Sequence, residues 1–289
     1  MLQQLVNGLI LGSVYALLAL GYTMVYGIIK LINFAHGDIY MIGAFMGYYL
    51  INILKFNFFL SLILAMIGTA ILGVVIEFLA YRPLRNSTRI AALITAIGVS
   101  FLLEYGMIFF VGANTRSFPQ VIKTVRFNLG PISISNIQLL ILGISIFLMV
   151  ALQFIVQKTK MGKAMRAVSE DEGAAKLMGI NVDTTISLTF AIGCALAAIA
   201  GILYANCYPM INPTLGSLPG IKAFIAAVLG GIGSIPGAVI GAFILGMVEA
   251  MTKAYISSQL TDTIVFAILI LMLVFKPAGI LGKNVKEKV

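Results

Sequence analysis

What most constrains this chain is a succession of apolar stretches separated by short loops. They run over Leu2–Ile29, Ile39–Leu54, Phe58–Ala80, Ile90–Val111, Ile137–Val156, Thr184–Asn206, Ile221–Ala250 and Leu260–Phe275. Most hold roughly 18 residues or more, enough to cross the ~30 Å hydrocarbon layer of a membrane as a helix. Inside that layer no water meets a bare N–H or C=O, so only helices and closed barrels span it. Barrel strands alternate apolar and polar side chains, and these runs do not. Composition agrees: 10% of the 289 residues are charged, against roughly 25% in a soluble domain. The sequence therefore predicts an all-α, polytopic integral membrane protein of about eight transmembrane segments, forming a single domain over residues 1–289.

The net charge of +9 reflects sidedness rather than nucleic-acid binding. Its basic residues gather in "YRPLRNSTR" (Tyr81–Arg89), "QKTKMGKAMR" (Gln157–Arg166) and the tail "GKNVKEKV". Lys- and Arg-rich short loops face the cytoplasm, which places the N-terminus outside. The N-terminal segment lacks a basic leader region and a small-residue cleavage site, so it reads as a retained helix rather than a signal peptide. The tail reaches the cytoplasm only if Ile221–Ala250 is a broken hairpin that enters and leaves on the outer side. Its centre, "GGIGSIPG" (Gly230–Gly237), holds the glycines and proline for such a break. By the same reading, Lys222 and Glu249 bracket the hairpin at the outer surface.

An internal glycine-rich repeat accompanies this break. "GAFMG" (Gly43–Gly47) reappears as "GAFILG" (Gly241–Gly246), each copy after a polar, glycine-bearing mouth. Gly43 and Gly47, and Gly233, Gly237 and Gly241, lie four apart, a spacing that lets helix backbones approach closely. Paired glycine-interrupted segments in two halves point to a transport pathway. Asn33, His36 and Asp38 sit at the first mouth. Asp38 suits a helix cap, and with His36 it could instead line the route or relay protons. Glu104 lies deep in an apolar run, where an acid is costly and a functional suspect. Cys194 and Cys207 share one helix about 20 Å apart, too far to bridge. No spacing marks a catalytic or metal site.

The loop of residues 157–183 is the most informative polar stretch. Ser169 and Glu172 form a Ser-x-x-Glu capping box, Glu170, Asp171 and Glu172 load the first turn with negative charge, and Gly179 suits a left-handed C-cap. A short helix over Glu170–Met178 follows. Its face of Ala174, Ala175, Leu177 and Met178 must pack on the membrane domain or enter a groove on another protein.

"EGAAKLMG" (Glu172–Gly179) resembles the EAA-type loop of bacterial ABC importer permeases, with Gly173 inserted after the glutamate. Together with "INFAHGDIYMIGAF" and "GGIGSIPGAVIGAF", the whole chain resembles the shorter, H-type permease subunit of branched-chain amino-acid ABC importers. The resemblance implies a bacterial inner-membrane permease for leucine, isoleucine and valine. It implies a second, longer permease subunit, two cytoplasmic ATPase subunits and an extracytoplasmic binding protein as partners, with no cofactor of its own. Loop residues Lys163, Arg166, Glu170, Asp171, Glu172, Ala174, Ala175 and Gly179 would then form the ATPase-coupling element. The chain has no G-x-x-x-x-G-K-S/T stretch to cradle ATP itself. Two alternatives stay open here: a related importer of urea or short amides, and an ion-coupled carrier using His36, Asp38 and Glu104.

Overall fold

In the computed structural model, which describes residues 1–85, 87–130 and 132–282, eleven helices form one bundle. They are α1 (Leu2–Ile29), α2 (His36–Asn52), α3 (Phe58–Ile76), α4 (Arg89–Val111), α5 (Asn136–Lys158), α6 (Lys160–Glu170), α7 (Glu172–Leu177), α8 (Val182–Cys207), α9 (Ser217–Gly230), α10 (Ile235–Tyr255) and α11 (Thr261–Phe275). Six are long and apolar enough to cross a membrane, and α9 and α11 are shorter apolar helices. Two small antiparallel ribbons depart from the all-helical expectation. β1 (Arg116–Ser117) pairs with β4 (Met210–Ile211), and β2 (Arg126–Leu129) with β3 (Ile132–Ser135).

Seven of the helices open on a side-chain oxygen that accepts a first-turn amide. The caps are Asn57, Thr88, Ser135, Thr159, Asp171, Asn181 and Ser234, each satisfying an otherwise orphaned donor. Helices α2 and α9 open instead on Ala35 and Gly216, without such a cap.

Gln3 exchanges hydrogen bonds with the backbone of Ser133, at 3.0 and 2.7 Å, so α1 starts at the ribbon end of the bundle. At the other end, Arg82 and Arg85 meet Asp183, beside the loop carrying α6 and α7. Buried over 94% of an 18-residue apolar stretch, α1 is the central helix, whereas α4 is buried over only 6% of its own and lies on the flank.

Two inverted halves, α1–α4 and α8–α11, surround this centre. α1 crosses α10 where a Cβ on Gly8 would lie 2.8 Å from the Met247 Cα, and α8 likewise meets α3 through Cys194 and Gly73. α2 packs on α8 while α9 packs on α1. α2 and α9 meet start to start: a Cβ on Gly220 would lie 2.8 Å from the Gly37 Cα. Only glycine allows that approach.

The internal repeat thus has a different register from the one read off the glycines. α2 corresponds to α9, not to α10. Asn33, Gly37, Ala44 and Phe45 recur at identical spacing as Asn212, Gly216, Ala223 and Phe224. Gly43 and Gly47 serve the contact of α2 with Ala198 and Ile202 on α8, whereas Gly237 and Gly241 serve that of α10 with Gly230 on α9.

The break in Ile221–Ala250 is where the glycines placed it. Gly231 (φ 105°) and Gly233 (φ 93°) occupy left-handed backbone between α9 and α10. The two arms are unequal, however. α10 has 21 residues, while α9 has 14, about 21 Å and short of the hydrocarbon layer. After α11 the chain returns to this turn, where the amides of Ile280 and Leu281 donate to the carbonyls of Leu229 and Gly230, both at 2.9 Å. Most of the basic tail, residues 283–289, lies outside the described residues.

Candidate functional site

Two clusters of polar side chains stand out, one inside the bundle and one on the loop. The first surrounds the meeting point of α2 and α9. A cavity of about 250 Å³ is lined there by Tyr22, Gly37, Asp38, Ser100, Glu104 and Ser217, with Ile97, Phe101 and Ile221 at its apolar margin. The Ser100 hydroxyl donates to Asp38 Oδ2. Sequence reasoning singled out Asp38 and Glu104 separately, and the structure brings them to one cavity. Ser100, Ser217 and Tyr22 escaped notice because isolated hydroxyls in apolar helices carry no signal. The recurrence of Asn33 and Gly37 as Asn212 and Gly216 was the one clue to the second helix start.

His36 and Asn33 sit behind this cavity rather than on it. The His36 ring is fully buried and stacks edge-on against Tyr22, with centroids 4.8 Å apart, against the Gly21 backbone. Asn33 Oδ1 accepts from the Tyr81 hydroxyl at 2.7 Å. Tyr81 reaches it because α3 ends in a π-helical turn, Glu77–Tyr81, which shifts the following side chains around the axis.

Lys222 and Glu249 correct the sequence reading most sharply. Instead of marking an outer surface they form a buried pair at 3.1 Å. Asp262 Oδ1 lies 2.7 Å from Lys222, Lys253 lies 2.6 Å from Glu249, and the Tyr15 hydroxyl donates to Glu249 Oε2 at 2.9 Å. Four helices, α1, α9, α10 and α11, are joined by this one network.

On the loop, α7 is a shorter form of the helix expected over Glu170–Met178, and a separate helix, α6, precedes it. Thr159 caps α6 and Asp171 caps α7; the Ser169 hydroxyl donates to the Arg166 carbonyl and caps nothing. Glu170 accordingly ends α6 instead of starting α7. Gly162, Met165 and Val168 turn inward and Lys163 outward, while the Arg166 guanidinium donates to the Val156 carbonyl and fixes the angle of α6 to α5. Glu172 pairs with Lys176 at 3.1 Å, Ala174 is exposed, and Gly179 closes the loop at φ 80°. Ala175 seats against the bundle, but Leu177 and Met178 stand 90% and 82% exposed. The apolar face is divided, one part packed and one part offered outward.

This loop is tied to the membrane helices by charge. Asp183, in the first turn of α8, accepts from both Arg82 and Arg85; Arg85 also holds the buried Glu77, which accepts from Ser187 at 2.6 Å. Glu77 is therefore a buried linchpin between the end of α3 and α8.

An inverted pair of helical halves, broken helices meeting inside, and a short amphipathic element wired to the bundle define a multi-pass membrane permease. Residues 4–273 match the family of branched-chain amino acid transport system permease components, and the chain belongs to that family. It is 44% identical over 301 residues to the high-affinity branched-chain amino acid transport system permease protein BraD of Pseudomonas aeruginosa, covering 100% of this chain and 98% of that one. It is 46% identical over 303 residues to the corresponding protein LivH of Salmonella typhimurium, and 45% to LivH of Escherichia coli strain K12, covering 100% of this chain and 97% of each relative.

Proposed function

We propose that this chain is one permease subunit of an ATP-driven importer in the bacterial cytoplasmic membrane, carrying leucine, isoleucine and valine. A second permease subunit completes the route, two ATPase subunits bind at the loop end, and an extracytoplasmic binding protein delivers substrate at the ribbon end. Hydrolysis takes place in the ATPases, and this chain contributes no catalytic residue. Residues 157–183 act as the coupling loop of a single transmembrane domain. The full-length similarity to high-affinity branched-chain permeases supports the substrate class.

One observation carries the coupling role. Leu177 and Met178 project from the end of a helix whose other side is pinned by Ala175, and the following helix α8 is held through Asp183 to Arg82 and Arg85 in the turn after α3. An exposed apolar pair on a rigid base is what a groove on another protein grips. The test is co-purification with the ATPase subunits. Leu177→Asp should abolish the association while the membrane domain stays folded. Ala175→Arg is a poorer probe, since it unseats the helix from its own bundle. ATPase retention by Leu177→Asp would remove the loop from the interface, and uptake without any ATPase would favour the ion-coupled carrier.

A further inference from the structure

We infer that the polar cavity at the ribbon end receives the amino acid by its main-chain groups, with Arg126 holding the α-carboxylate and Asn206 bonding both the carboxylate and the ammonium group. This inference rests on the importer reading above and names a site within it.

The cavity, of about 580 Å³, lies where the start of α1, the β2–β3 ribbon, the start of α5 and the end of α8 meet. Arg126, Gln120, Thr124, Ile137, Asn206 and Cys207 are among its lining residues, and no acidic side chain is. Arg126 is the one charged residue of the wall, and it forms no ion pair among the described residues. A free guanidinium offers parallel N–H donors in the geometry that takes a carboxylate by both oxygens.

Several other polar groups of the wall are already spent on the fold. Gln3 exchanges hydrogen bonds with Ser133, and Gln138 with Ser135. Asn206 is different. It is 3% exposed, yet neither its Oδ1 nor its Nδ2 has a hydrogen-bond partner in the protein. A buried amide with both atoms unpaired is costly, and it points to a group that arrives from the cavity it lines. An amide donates through nitrogen and accepts through oxygen. A bare anion would satisfy Nδ2 and leave Oδ1 unpaired, whereas an α-amino acid, with its ammonium beside its carboxylate, satisfies both. Ile137 and Cys207 are the only apolar side chains on the wall. The site therefore reads the main chain of the amino acid and leaves the choice of side chain to the binding protein.

Cys207 lines the cavity while Cys194 is buried in the core, so Cys207 reports occupancy. The assembled importer in detergent, without binding protein, is treated with a maleimide over a range of leucine concentrations. Leucine should slow the modification of Cys207 several-fold at saturation, and serine should do the same at similar concentrations. Isocaproate, which is leucine without its ammonium group, should need about ten-fold more for equal protection. Leucine should likewise need about ten-fold more with Arg126→Gln or Asn206→Leu, each of which removes a charge-assisted hydrogen bond. Arg126 is exposed on the ribbon, so Arg126→Gln keeps the fold and decides the matter even where Asn206→Leu fails to assemble. Absence of protection by any amino acid in the wild type overturns the site, as does undiminished protection in Arg126→Gln. Equal potency of leucine and isocaproate overturns the recognition of a zwitterion, and protection by leucine but not serine overturns the reading of main-chain groups. The same complexes, reconstituted with binding protein, are assayed for ATP-driven leucine uptake. Normal uptake without protection removes this site alone, and a wild-type complex that takes up no branched-chain amino acid removes the importer reading itself.

Discussion

Lys222 shows how one residue changes meaning with its surroundings. On a surface its ammonium would need no partner, but here it is shared between Glu249 and Asp262 within the bundle. Breaking a buried pair by removing one member leaves an uncompensated charge and costs about 3–5 kcal/mol. Lys222→Met is thus expected to lower the thermal unfolding midpoint in detergent clearly, and Lys222→Met combined with Glu249→Gln to recover part of the loss. If the double variant is as unstable as the sum of the singles, the two residues are not coupled. Sequence reasoning found Glu104 and Asp38 because an acid in an apolar run is conspicuous. It could not pair Lys222 with Glu249, since 27 residues and a chain reversal separate them.

At the scale of elements, the tie between the start of α8 and the turn that follows α3 is the consequential contact. Asp183 bridges Arg82 and Arg85, and through Arg85 reaches Glu77. Asp183 is 45% exposed, so its ion pairs add well under about 1 kcal/mol to stability once solvent screening is counted. Their role is mechanical. Asp183→Ala should leave folding and ATPase association intact but lower the amino acid carried per ATP hydrolysed, read as the ratio of uptake to phosphate release. An unchanged ratio would confine the bridge to structure. One cap was legible, since Gly179 stands in the left-handed conformation its position required, but Asp38 caps nothing and α2 opens on Ala35. The capping box was misplaced because Ser169 and Asp171 compete for neighbouring turns, and the amphipathic pull of α6 on the bundle decides for Asp171.

For the whole molecule, sidedness is open to direct measurement. A cavity of about 580 Å³ at the ribbon end is lined by Cys207 together with Gln3, Arg126, Gln138 and Asn206. Cys207 is half-buried there, whereas Cys194 is sealed in the core. A membrane-impermeant maleimide added to intact cells should modify Cys207 and leave Cys194 untouched. Labelling only after lysis would invert the topology that the basic loops predict.

The sequence by itself determined the solvent, the class and most helix limits. α1 coincides with the run Leu2–Ile29, because in hydrocarbon every backbone amide must be satisfied within its own helix, so an apolar stretch long enough to span has one structure open to it. It also placed the break within Gly230–Gly237, where Gly231 and Gly233 take up left-handed backbone that glycine adopts without strain. Only the tertiary structure decided that α2 answers α9, that Asp38 and Glu104 share a cavity, and that Lys222 is buried with Glu249. Those facts depend on contacts between distant segments. A buried charge or an uncapped helix start has no fixed worth until its neighbour across the bundle is known.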